Sequence, residues 1–107
     1  MDIQLRGNEV VEREVKGDYW GHIFGIQLSQ TRGKFAFTNE RIVFKGGFGT
    51  TEEIEYNEIE MVKKCNVGGL IRFVPTGILV KMKNGKKHYL SVLGRKELLP
   101  MLEAKVR

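Results

Sequence analysis
The chain reads as a mainly β domain finished by one C-terminal helix. Three stretches carry that expectation. Residues 33–46 hold two alternating apolar runs about a Thr38-Asn39-Glu40-Arg41 corner, residues 77–92 hold two more about Asn84-Gly85, and residues 95–105 repeat leucine at helical spacing.

The first stretch predicts a hairpin whose register follows from its turn. With Thr38 opposite Arg41, Phe37 faces Ile42, Ala36 faces Val43 and Phe35 faces Phe44. Side chains alternate along a strand, so Phe35, Phe37, Ile42 and Phe44 share one face, the face of a core. In the second stretch Asn84-Gly85 is a strong short-range hairpin signal. A two-residue turn there puts Lys83 opposite Lys86, Met82 opposite Lys87, Lys81 opposite His88 and Leu79 opposite Leu90.

The remaining elements are read in chain order. Residues 9–17 alternate and predict a first strand; residues 19–30 are apolar with Gly21 and Gly25, and predict an extended segment leading into the hairpin. Residues 46–51 are a glycine-rich loop. Residues 52–56 and 59–65 predict two short strands, Val67-Gly68-Gly69 a turn, and residues 70–74 a short strand ended by Pro75. Leu98, Leu99, Leu102 and Val106 mark the helix, with Pro100 expected to hold its regular part back to about Leu99. So many short strands in so short a chain suggest a barrel or sandwich, with the helix burying its leucines over an open end.

The chain has 107 residues and 41% hydrophobic residues, enough for one core and one domain, residues 1–107 with its core at about 9–105. No apolar run approaches the roughly 20 residues of a bilayer crossing. Met1 to Arg6 lacks the layout of a signal peptide. Cys65 is the only cysteine, so the chain has neither an internal disulfide nor a cysteine cage for a metal. These features point to a cytoplasmic location. Formal net charge is +5, divided as −4 over residues 1–60 and +9 over residues 61–107. That asymmetry suits an anionic partner, or an acidic surface meeting a basic one, unless the two halves interleave.

The hairpin's wording, Gly33 to Phe44 with Thr38-Asn39-Glu40-Arg41 inside it, resembles the GRAM and pleckstrin-homology-like (PH-like) domains. Ile54-Glu55-Tyr56-Asn57-Glu58-Ile59 and the hairpin Lys83 to Leu90 are similar to later steps of the same pattern. Short single-domain bacterial members look like this chain. The resemblance implies two nearly orthogonal antiparallel sheets forming a partly open barrel, capped by the C-terminal helix. It implies a non-enzymatic binding module with no cofactor, acting on proteins, on copies of itself, or on phosphoinositide-like head groups at the inner face of the membrane. The lipid-binding pattern has a basic residue in the first strand and a basic-x-Arg pair opening the second. Here Arg13 or Lys16 and Arg32-Gly33-Lys34 stand nearest, with Lys in place of the final Arg.

Candidate sites follow from charge and exposure. Lys81, Lys83, Lys86 and His88 would share one face of the second hairpin, with Lys87 beside them, as a site for an anion or lipid; the alternative is a solvated tip that keeps an edge soluble. Phe48 between glycines, and Leu70 and Ile71 after Gly68-Gly69, are candidate contacts for a membrane or partner, or else fold back onto the core. Arg41 is expected to bond turn carbonyls or the acidic segment 52–60. His22 and His88 lack metal-ligand spacing, and Cys65 has no positioned base, so no catalytic or metal site is expected. Nucleic-acid binding is the weaker reading, because basic and aromatic residues interleave sparsely.

Overall fold
The computed structural model describes residues 3–23, 26–67 and 74–106. Seven strands and one helix follow in order: β1 Val11–Ile23, β2 Ile26–Thr38, β3 Arg41–Gly46, β4 Thr51–Glu55, β5 Ile59–Val67, β6 Val74–Met82, β7 Lys87–Val92 and α1 Arg95–Val106. All pairings are antiparallel, in one hydrogen-bonded sheet of order β4-β3-β2-β1-β7-β6-β5. The mainly β class with a C-terminal helix is as the sequence predicts.

The two ends of that order, β4 and β5, are joined by only a three-residue 3-10 turn, Tyr56–Glu58. The sheet therefore has to coil until its two edges approach each other. β1 carries the continuity: Gly17 to Trp20 pairs with β2 on one side and β7 on the other. The coil tightens along a row of cross-strand glycines, Gly17 opposite Gly33 and Gly33 opposite Gly46. A Cβ on Gly17 would lie 2.2 Å from the Ser91 carbonyl oxygen, and one on Gly33 2.2 Å from that of Lys45. A side chain at either place would point into the neighbouring strand instead of off the sheet face, so only glycine permits the approach.

The first hairpin has the expected register, Phe37 with Ile42, Ala36 with Val43 and Phe35 with Phe44. Phe35 and Phe37 are 0% exposed, and Phe35 meets Phe44 at 4.7 Å between ring centroids. Tyr19, Ile54, Ile59, Ile78, Val80, Leu90, Leu98 and Leu102 complete the same core. A smaller cluster of Val67, Leu79 and Tyr89, with Trp20 and Cys65 against it, packs separately.

Three local expectations are corrected. Residues 19–23 and 26–30 are no single extended lead-in; they belong to the paired ends of two long strands, from Tyr19 opposite Thr31 to Ile23 opposite Ile26. The expected strand 70–74 and the turn at Val67-Gly68-Gly69 lie mostly outside the described residues. β6 runs from Val74 through Pro75 instead of ending there, where the register against β5 shifts between Cys65 and Val67; such an irregularity is a place a ladder tolerates proline. The helix is continuous from Arg95 through Pro100. Pro100 is exposed, so the Lys96 carbonyl it leaves unbonded faces water.

The second hairpin differs by one residue. Gly85 donates to the Met82 carbonyl (2.9 Å) and Met82 to that of Lys86 (2.8 Å), so three residues, 83–85, make the loop, with Gly85 at φ 91°. The register is Lys81 with Lys87, Val80 with His88, Leu79 with Tyr89 and Ile78 with Leu90. A one-residue slip moves every side chain of one strand to the other face. His88 and Leu90 consequently turn inward, and Lys87 and Tyr89 turn to the opposite side.

Gly33→Ala is expected to lower stability by about 2–3 kcal/mol, as overpacking against backbone does. Gly47→Ala, where an added Cβ meets nothing within 4 Å, should stay within about 0.5 kcal/mol. Urea unfolding of the two variants checks the contrast.

Candidate functional site
A polar node at the first hairpin ties the N-terminal segment to the sheet. Glu9, buried ahead of β1, accepts hydrogen bonds from Arg41 Nε (2.8 Å) and Nη2 (3.0 Å), from the Thr38 hydroxyl (2.7 Å) and from the Arg6 backbone N–H (3.1 Å). Arg41 also pairs with Glu53 and donates from Nη2 to the Gln4 carbonyl (3.0 Å). Arg6 continues outward to Glu55 (2.7 Å) and Glu40 (3.3 Å). The expected bond from Arg41 to the segment 52–60 is present as Glu53. Glu9, separated from Arg41 by 32 residues, had no local signal. The Arg41 hydrogen bonds hold the Glu9 carboxyl down at about 2, against burial, with Thr38 helping. Glu9 in turn raises Arg41, and Arg6 lowers Glu55.

Buried tyrosines and a histidine are paired too, whereas the buried Trp20 Nε1 has no hydrogen-bond partner among the described residues. The Tyr19 hydroxyl and His88 Nδ1 share a buried 2.7 Å hydrogen bond between β1 and β7. Burial first, then the Glu52 carboxylate, pushes the Tyr19 phenol well above its ordinary 10. Tyr56 donates to the Thr38 carbonyl at 2.7 Å, and its phenol is raised by burial first. These bonds lock strands together.

The basic residues named from the sequence part company. His88 is 3% exposed in the core, off any surface patch. Lys81 and Lys87 stand opposite each other, and Lys81 lies 3.7 Å from Glu60. Lys83 and Lys86 flank the exposed turn. Phe48 lies in the 3-10 turn Gly47–Gly49, but its side chain lies outside the described residues, as do Leu70 and Ile71 entirely. Lys16 and Arg32 border a cleft of about 320 Å³ beside Gly17 and Gly33, where the Asp18 carboxylate sits 3.3 Å from Arg32. Cys65 is half-buried, its Sγ packed close to Gly77. Two ion pairs, Lys81–Glu60 and Lys105–Glu12, join the acidic and basic halves of the chain, while Arg6, Arg32 and Arg41 pair with carboxylates of their own half. The basic half thus keeps exposed Lys63, Lys64, Lys83, Lys86 and Lys96.

A groove of about 600 Å³ runs along β5. Its wall on one side is five consecutive strand residues, 60–64, and on the other Leu99, Glu103 and Val106 of α1. Consecutive strand residues line a groove only when it runs along the strand's edge, since alternate residues would line a face. β5 is that edge: it is last in the sheet order, with β6 as its only ladder partner among the described residues. Leu98 and Leu102 anchor α1 in the core and leave Leu99 and Val106 half-buried toward the groove. Its floor therefore combines apolar surface with unpaired backbone, flanked by exposed Glu60, Lys63 and Lys64. Sequence reading missed it because strand order, not composition, makes β5 an edge.

No helix among the described residues is long and apolar enough to cross a membrane, and no group of three or more His, Cys, Asp or Glu among them could hold a metal ion. No protein-family model and no curated protein matches the chain. Among solved structures, the chain is similar to the C-terminal domain of an unknown protein from Leishmania infantum. The two share a TM-score of 0.72 and 17% identity over 92% of this chain and 84% of that one. The likeness is one of fold.

Arg41→Met strands a buried carboxylate and should cost about 3–5 kcal/mol. The double variant with Glu9→Gln should cost less than the sum of the single changes, read by urea unfolding. Because Glu9 titrates lower when folded, its contribution is complete above its ordinary 4.5 and is lost as pH falls toward about 2. Glu9→Gln should flatten acid-induced loss of stability over that window, followed by circular dichroism.

Proposed function
We propose that the chain is a PH-like domain of the GRAM type that works as a non-catalytic binding module, making its protein contact at the groove between β5 and α1. The observation that carries this reading is the exposed strand edge beside a half-buried apolar helix face. An extended segment can add there as a further strand, its backbone satisfied by β5 and alternate side chains resting on Leu99 and Val106. The PH-like assignment draws support from the sheet order, with β1 bonded to both β2 and β7, from the three-residue link between β4 and β5, and from the single C-terminal helix. A non-catalytic role draws support from the commitment of Glu9, Arg41, Tyr19 and His88 to one another across strands. The proposed place of action is the cytoplasm.

A second reading has its own observation. Lys83 and Lys86 stand exposed at the β6–β7 turn, with Lys87 beside Lys81, so this end presents positive charge to an anionic membrane surface. His88 takes no part in it. Nucleic-acid binding has less support: Tyr19, Tyr56 and Tyr89 are all under 10% exposed, which leaves them unable to stack on bases.

Two measurements separate the readings. Peptides selected from a random library are expected to perturb amide resonances of β5 and α1; perturbation confined to other elements would sink the groove reading. Co-sedimentation with vesicles containing anionic lipid should fall on Lys83→Glu/Lys86→Glu if the turn meets a membrane, and equal binding to neutral vesicles rejects that role.

A further inference from the structure
We infer that the occupant of the β5 edge is the β5 edge of a second copy, paired antiparallel about Val62 to make a two-fold dimer. This rests on reading the β5–α1 groove as a protein-contact site. The argument is charge order along the strand. β5 carries Glu60 on one side of Val62 and Lys63 and Lys64 on the other, all exposed. Antiparallel pairing with Val62 opposite Val62 of the partner brings the acidic end of each strand beside the basic end of the other. A two-fold axis repeats the match, so Glu60 of each copy stands opposite Lys64 of the other, while Lys63, on the other sheet face, stands opposite Met61. Parallel pairing would set lysine against lysine. The strand is self-complementary in one orientation only.

The other edge lacks this property. β4 carries Glu52, Glu53 and Glu55 and no basic residue; Glu53 and Glu55 pair closely within their own chain, with Arg41 and Arg6, where Glu60 of β5 has only the looser Lys81 contact at 3.7 Å. Two β4 edges would oppose glutamate to glutamate. A β4 edge on a β5 edge would join different surfaces and build a ring or an open fibre, whereas β5 on β5 closes at two. The apolar part agrees. Leu99 and Val106 face the groove and would flank the incoming strand from both copies, covering Met61 and Val62, which β6 and α1 leave half-buried.

So short a strand pair makes a small interface, and the expected association is weak, at the low end of specific contacts. Disulfide trapping reads it directly. In a Cys65→Ser background, Val62→Cys places the two thiols opposite each other across the axis, and mild oxidation should yield a covalent dimer. Thr51→Cys on the β4 edge, in the same background, should stay monomeric. Sedimentation velocity of the unmodified chain should show a monomer–dimer equilibrium with no larger species, weakened by salt. Lys64→Glu should weaken the dimer about tenfold, and adding Glu60→Lys should restore it. Equal trapping at Thr51 and Val62, growth beyond the dimer, or no rescue by Glu60→Lys each overturns the inference. A strict monomer whose β5 resonances still respond to peptide overturns the self-pairing and leaves the groove reading standing; a strict monomer with no such response overturns both.

Discussion
The architecture depends on one steric allowance, the close approach of strands at Gly17 and Gly33. Seven strands in a single ladder would form an open, twisted sheet with two distant edges. Here the edges, β4 and β5, are three residues apart in the chain, so the sheet must coil hard between them. The coil is concentrated where backbone carbonyls of Ser91 and Lys45 occupy the space a side chain would need. On one side of that row lies the hairpin of Phe35, Phe37, Ile42 and Phe44; on the other, β7 carries Leu90 and Val92 into the same core. Without the bend, these two apolar faces would not meet, and α1 would have no single core to close with Leu98 and Leu102.

The outer side of the first hairpin is managed differently. Ala36 and Val43 occupy it and are almost fully buried, although they face away from the main core. The N-terminal segment lies against this region, held by Glu9 on Arg41 and by Arg6 on Glu55. A buried ion pair adds little net stability over an apolar pair of the same shape, but it is strongly directional. Its geometry accepts one placement of the segment, because both oxygens of Glu9 are used, each by two of the four donors around them. Specific placement, more than stability, is what such a pair contributes.

Function then falls to what the core and this node leave over. His88 lies among the core side chains, bonded to Tyr19, and Arg41 belongs to the N-terminal node. Among the described residues, two features left open to a partner are an edge strand with a helix beside it and a turn rich in lysine. A protein strand and a charged surface make different demands on those two places, backbone complementarity at the first and little more than net charge at the second.

Much of the fold was legible in the order of residues. Alternation identified the hairpin of Phe35 and Phe44 with its register, and leucine spacing identified α1, because both are local patterns in which each side chain's direction follows from its neighbours. The second hairpin shows where local reading ends. Asn84-Gly85 correctly marked the turn, yet a third loop residue shifted the register and carried His88 from a surface patch into the core. A loop's length is decided by the strands it must join, and those strands were being placed by β1 and β5. The same holds for the Glu9 partner of Arg41 and for the groove at β5. Periodicity specifies which way a side chain points along its own strand; only the assembled sheet decides which strands lie at its edges, and so which surface remains for a partner.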